Sequence, residues 1–307
     1  MDFELSADQV DLQDGVRKLC QGRFPMDVVR AGFAPDRWQD LVDAGVFTLR
    51  VPEEAGGVGL GAAESVLVFE ELGRACVPGP LVASELAASN EIVGMVERRR
   101  GPVVIEHLDA LERLLVLGEI EVAEVDIASL DARPVERPID PLTPTWVVDK
   151  LPMGDMVGDE DLASRVRLNG ALLTAALQLG LSEAVLDLAV AYAKERQQFD
   201  KPIGSFQAVK HMLADMLVRT EVARAAVYAA GVTVDDPSVG DPVRAVSAAK
   251  VTAGEAAIKN GKAAIQVHGG MGFTWEVDVH FFLKRAWVLD THFGSAERHS
   301  ELLAELL

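Results

Sequence analysis

Cysteine is scarce: the 307 residues carry two, Cys20 and Cys76, with no CxxC spacing. That excludes a disulfide framework and leaves both thiols to pack as small apolar groups. Positive charge is scarce as well, with 29 Lys and Arg against 48 Asp and Glu, for a net charge of −19. A balance of that sign disfavours nucleic acid and anionic membrane surfaces as partners. No 18-residue apolar run is found, and the opening MDFELSADQVDLQ is acidic where a secretory signal would be basic. The expectation is a cytoplasmic protein. What is present is 49% apolar and 25% charged residues, enough for two or three sub-domains around a sizeable core.

Residues 5–22 read as an amphipathic helix with Ser6 as its N-cap. Residues 36–45 (DRWQDLVDAG) read as another, ended by Gly45. The glycines of VPEEAGGVGLG (51–61) lack the GxGxxG spacing and no βαβ unit surrounds them, so a loop between helices is expected. A helix over 62–75 (AAESVLVFEELGRA) is broken by Pro78-Gly79-Pro80, and a further helix is expected over 81–96. Residues 101–150 change texture: VVIEHL, RLLVLGEIEVAEVDIA and PTWVVDKL are short β-rich runs separated by turns. From about 168 the pattern turns to long helices, at 168–196, 205–231, 242–267 and 278–305, with the loop DDPSVGDP (235–242) between the second and third. ARAAVYAA (223–230) suits close helix packing. Glu183 and Glu195 read as ordinary helix-surface charges.

Two stretches in the helical part depart from plain amphipathic patterning: YAKERQQFDKPIGSFQAVK (192–210) and QVHGGMGFTWE (266–276). The first ends a helix with Arg196, Gln198 and Phe199, turns at Pro202 and Gly204, and starts a new helix near Ser205. The second sets Gln266 before Gly269, Gly270 and Gly272. Arg can fork onto a phosphate, Phe can stack on a flat base, and glycine lets a ligand reach the main chain. A planar nucleotide with a pyrophosphate is the natural guest. Each piece has a plainer use: an Arg at a helix C-terminus complements the dipole, and Gly-Gly ends helices.

In this order and spacing, the two stretches resemble the acyl-CoA dehydrogenase family, which carries YA..R..FG.PI..FQ and then Q..GG.G in its C-terminal four-helix bundle. VPEEAGGVGLG also fits that family, and the resemblance covers most of the chain. It implies a mainly α fold with a small β-domain: an N-terminal helical domain over 1–98, a reduced middle β-domain over 99–160 and a C-terminal helical bundle over 161–307. It further implies FAD as cofactor, with Arg196 on the pyrophosphate and Phe199 on the adenosine part. Gln198 and Gln207 would hydrogen-bond nearby, and Gln266, Gly269 and Gly270 would lie along the adenine–ribose–pyrophosphate region. Asp200 stands where the family usually has glycine.

Two family features are missing. The β-domain normally carries a TE…GSD segment and a tryptophan-containing strand that bond the flavin ring; here the only tryptophan of that region is Trp146 and no partner segment accompanies it. The catalytic glutamate has two family positions, which fall here on Phe293 and on Gly170, and neither can take a proton. Asp290 and His292 lie near the first position and could serve as a displaced base. The resemblance is therefore to the short, base-lacking subunit of heteromeric actinobacterial acyl-CoA dehydrogenases that act on steroid-CoA thioesters. It implies an α2β2 heterotetramer in which a homologous partner supplies the glutamate, an acyl-CoA substrate, and an electron acceptor such as an electron-transfer flavoprotein. A homo-oligomer using Asp290 or His292, and a non-catalytic scaffold for a partner dehydrogenase, are the alternatives.

Overall fold

A computed structural model describes residues 4–306. The chain divides into two compact units. One gathers the chain up to Met26, Ala62–Val77 and the chain from Ala171 on; the other holds Asp27–Gly61 and Pro78–Gly170. In chain order the helices are α1 (Ala7–Arg23), α2 (Met26–Arg30), α3 (Pro35–Asp43), α4 (Ala62–Arg74), α5 (Leu81–Leu86), α6 (Glu160–Glu195), α7 (Gln207–Asp235), α8 (Pro242–His268), α9 (Val279–Asp290) and α10 (Ala296–Glu305). Mainly helical with a small strand region, this is the fold class the sequence implies.

The helical unit begins at a reciprocal cap. Ser6 Oγ accepts from the Gln9 amide (3.2 Å) while Gln9 Oε1 accepts from the Ser6 amide (3.0 Å), so α1 starts where the sequence places it. α4 and α6 meet backbone to backbone. A Cβ on Gly73 would overlap the Leu177 carbonyl, and one on Gly180 would overlap the Glu70 carbonyl. Around this crossing runs a chain of charges. Arg17 Nη2 lies 2.7 Å from Glu71 Oε1, Arg74 binds Glu183 and Asp187 (2.7 Å each), and Arg224 pairs with Glu70. Tyr228 donates its hydroxyl to Glu70 Oε2 at 2.7 Å. Burial pushes the Glu70 carboxyl up to about 7, against the pull of Arg224 and Tyr228. Glu183 is thus no solvated surface charge, because it lies on the α6 face that meets Arg74 and Arg224. Glu195 is exposed.

α6 holds an 18-residue window apolar enough to cross a membrane by length and composition. Most of that window is buried inside the protein, as expected of a core helix. Cys20 and Cys76 are both buried thiols outside any disulfide, and burial pushes the Cys20 thiol up to about 12.

The second unit carries the two larger sheets. β1 (Val93–Glu97) pairs parallel with β3 (Arg113–Leu117), which continues antiparallel to β4 (Val122–Val125) and β7 (Asp155–Gly158). β2 (Val103–Glu106), β6 (Thr145–Val148) and β5 (Ala132–Pro134) form a second antiparallel sheet in the order β2-β6-β5. Val103, Ile105, Leu114, Val116, Val125 and Val148 pack as one apolar core between them. Trp146, on β6, stands opposite Ile105 and Pro134.

Two element expectations are corrected. The helix expected over 81–96 stops at Leu86; Ala88 turns with φ +49, and the β-branched run that follows joins β3 as β1. The helix expected over 278–305 is two, α9 and α10, broken where Phe293 (φ +51) and Gly294 (φ +98) enter the left-handed region.

Candidate cofactor-binding site

The two stretches singled out in the sequence meet at one end of the bundle. Tyr192, one turn before the end of α6, stacks on His268, the last residue of α8, with ring centroids 4.2 Å apart. His268 Nδ1 in turn lies 2.8 Å from the Ala264 carbonyl, which fixes the ring. Arg196 follows α6 directly, and Gly269 and Gly270 follow α8 directly, so the stack sets these ends side by side.

Beyond Arg196 the chain makes a tight hairpin. β8 (Gln197–Gln198) pairs with β9 (Lys201–Pro202), and both turn residues, Phe199 (φ +52) and Asp200 (φ +61), are left-handed. That is the geometry of a type I′ turn, which favours glycine or asparagine. The expected turn at Pro202–Gly204 is present as a single 3-10 turn over Ile203–Ser205, after which α7 starts at Gln207; the sharper reversal at Phe199–Asp200 precedes it. Gly204 instead allows close approach, since a Cβ there would come 2.9 Å from the Ala193 carbonyl. Phe199 is 85% exposed and touches Phe206 edge-on (centroids 6.1 Å), while Lys201 Nζ sits 4.5 Å over the Phe206 ring.

The polar groups at this end are uncommitted. Arg196, Gln198, Gln207 and Gln266 are exposed, and among the described residues none has a side-chain hydrogen bond or ion pair. α7 opens with Phe206 at its N-cap and no side-chain cap, which leaves first-turn N–H groups and the positive end of the helix dipole available to an anion. At the second stretch, a Cβ on Gly269 or Gly270 would meet nothing within 4 Å. Gly269 (φ +59, ψ −138) is in a conformation essentially confined to glycine. Gly272 differs: a Cβ there would press on the Ile265 carbonyl at 2.7 Å, so this glycine serves packing. A free guanidinium, an exposed aromatic face, amides and open backbone suit a flat, anionic nucleotide. The Asp200 carboxylate in the turn opposes it.

Sequence reading missed the Tyr192–His268 stack, since neither ring follows a helical repeat with the other. It also passed over Phe273 and Trp275, which are 81% and 63% exposed just past the glycines. Lys284 Nζ sits 4.2 Å over the Trp275 ring. Large apolar side chains in a glycine-rich tail were the available signal.

The family base positions lie elsewhere in the chain. Gly170 is buried within α6. Phe293 occupies the α9–α10 turn, where the His299 Nε2–H donates to its carbonyl (3.0 Å) and Nδ1 accepts from the Ser247 hydroxyl (3.0 Å). Asp290 ends α9 with its Oδ1 buried and turned toward α8. His292 is half-buried in the turn.

Known proteins match along nearly the whole length. The family model for the acyl-CoA dehydrogenase N-terminal domain matches residues 6–96, and that for the acyl-CoA dehydrogenase C-terminal domain matches residues 163–307. Acyl-CoA dehydrogenase IpdE2 of Mycolicibacterium smegmatis is 33% identical over 304 residues, 92% of this chain and 93% of that protein. Among solved structures, the ChsE4-ChsE5 complex from Mycobacterium tuberculosis superposes with a TM-score of 0.85 at 23% identity, covering 99% of this chain and 98% of that one. PigA with FAD and proline gives 0.82 at 19% identity, over 100% and 99%. At these identities the solved structures speak to the fold.

Proposed function

The chain belongs to the acyl-CoA dehydrogenase family, and from that premise we propose that it is one subunit of a heteromeric, FAD-dependent acyl-CoA dehydrogenase. It contributes contacts to the adenosine and pyrophosphate end of FAD, while a homologous partner supplies the catalytic glutamate and encloses the flavin ring. FAD, when bound, accepts the hydride that leaves the β-carbon of the acyl thioester. This chain's part is to bind and orient. Arg196 would pair with the pyrophosphate, Phe199 would cover the adenosine part, Gln198 and Gln207 would bond alongside, and Gln266 with the Gly269–Gly270 backbone would complete the cradle.

The observation that carries this reading is the pairing of two facts: uncommitted Arg196 and Gln266 beside open glycine backbone, and no ionisable residue at 170 or 293. The ChsE4-ChsE5 structure is a complex of two proteins, which supports a heteromeric assembly, proposed here as α2β2; IpdE2 supports an acyl-CoA substrate, for which a steroid-derived acyl group is the proposed class. An electron-transfer flavoprotein is the proposed acceptor and the cytoplasm the proposed location. The proposed division is 1–98 helical, 99–160 reduced β-domain and 161–307 bundle.

The test is to purify the chain alone and together with the acyl-CoA dehydrogenase-like product of an adjacent gene. The proposal expects little flavin on the lone chain and stoichiometric flavin with turnover on the pair. Tight, stoichiometric FAD on the lone chain overturns it. Enoyl-CoA product from the lone chain, lost in Asp290→Asn or His292→Gln, would favour the homo-oligomer. Unchanged partner turnover and flavin retention in Arg196→Ala would favour the scaffold.

A further inference from the structure

Buried polar groups that the cofactor reading leaves unused converge inside the helical unit, where α6, α8 and α9 face one another. Gln178 on α6 is 0% exposed, and neither its Oε1 nor its Nε2 meets a hydrogen-bond partner. Asp290 Oδ1, on the last residue of α9, is likewise buried without one. All three atoms face the spot where Gly254 on α8 lacks a side chain. A Cβ there would stand 3.2 Å from Asp290 Oδ1, 3.4 Å from Gln178 Nε2 and 3.6 Å from Gln178 Oε1. One turn earlier on α8 lies Lys250, itself 0% exposed. Its ammonium carries three donors and uses two, on the carbonyls of Leu289 (3.1 Å) and Asp290 (3.3 Å).

The donor and acceptor count selects the occupant. Asp290 Oδ1 and Gln178 Oε1 ask for hydrogen-bond donors; Gln178 Nε2 and the third Lys250 N–H ask for acceptors. A cation would meet the lysine, an anion would meet the carboxylate, and an apolar ligand would satisfy none of the four. A small neutral molecule with two donors and two acceptors satisfies the whole set. We propose that the space at Gly254 is an internal hydration site, in which one or two ordered waters bridge Gln178, Asp290 and Lys250. Buried waters take two to four such partners and replace bonds that side chains cannot reach directly. The bridge ties α6 to the last turn of α9, and with Lys250 it fixes where the Phe293 turn begins. It involves none of the cofactor-contacting residues, so it stands or falls separately from the flavin proposal.

A crystal structure of the full-length chain at water-resolving resolution is expected to show a solvent peak at hydrogen-bonding distance, about 2.7–3.2 Å, from both Gln178 and Asp290. Gln178→Met keeps length and bulk but removes both amide atoms. With a water bridge in place it lowers Tm by about 3 °C or more, because Asp290 and Lys250 lose their shared partner. In a dry interior the same change removes two uncompensated groups and raises Tm. An unchanged or raised Tm overturns the proposal, as does a structure in which Gln178 donates straight to Asp290 with no peak between them.

Discussion

At the scale of single residues, Arg196 and Asp200 act with opposite sign at the proposed cofactor site. Under the proposed function, Arg196→Ala would remove a charge-assisted phosphate contact, a loss of about 1.5–3 kcal/mol. Flavin affinity of the assembled enzyme is expected to fall about 10- to 150-fold, read by fluorescence titration of FAD. Asp200→Gly relieves a left-handed non-glycine and removes a negative charge from the turn. It is expected to raise both flavin affinity and Tm, the latter reflecting about 1 kcal/mol. His299 gives a pH signature. Burial holds its imidazole below the ordinary range, and Lys250 and Arg298 add to the effect. Between that lowered value and about 6.5 the unfolded chain binds a proton that the folded chain refuses, so this contribution to stability is lost as pH falls below about 6.5. Subtracting the Tm–pH curve of His299→Gln from that of the parent should isolate this slope, since Glu70, pushed up to about 7, titrates alike in both.

At the scale of elements, the α4–α6 crossing is set by what is missing. Gly73→Ala or Gly180→Ala forces a methyl into a backbone carbonyl, and the helices must part. Each is expected to cost about 1–3 kcal/mol or more, seen as a shift in the urea midpoint. Much of this layer was legible in sequence. The Ser6 cap, the stop at Gly45 and the start of α8 at Pro242 are local chemistry written in neighbouring residues. The stretch IVGMV was not, because its choice of strand over helix is made by Arg113–Leu117, which pairs with it in parallel only after a crossover through β2. The break at Phe293 was hidden for a similar reason: its left-handed φ is upheld by His299, six residues away, and through it by Ser247. Of the candidate site, the residue types could be read directly; their juxtaposition through Tyr192 and His268 could not, since it needs two helices to end together.

For the whole molecule, four carboxylates and three guanidiniums thread α1, α4, α6 and α7. Glu70 sits at the centre with no exposure, held by Arg224 and Tyr228. Removing one partner strands a buried charge, so Arg224→Met is expected to cost about 3–5 kcal/mol, whereas Arg224→Met combined with Glu70→Leu should recover part of that loss. Chemical denaturation of the double-mutant cycle checks it. The chain's net charge of −19 makes it self-repelling, which places extra weight on such internal pairs.

The glycine crossing carries a warning for anyone mapping this protein by mutation. Position 73 and position 180 accept no side chain for reasons of elbow room alone. A saturation library scored on turnover would rank them beside the residues proposed to hold the nucleotide. Counting surviving protein in the same cells would separate the two groups, with the glycine variants vanishing from the lysate and the Arg196 variants remaining in it.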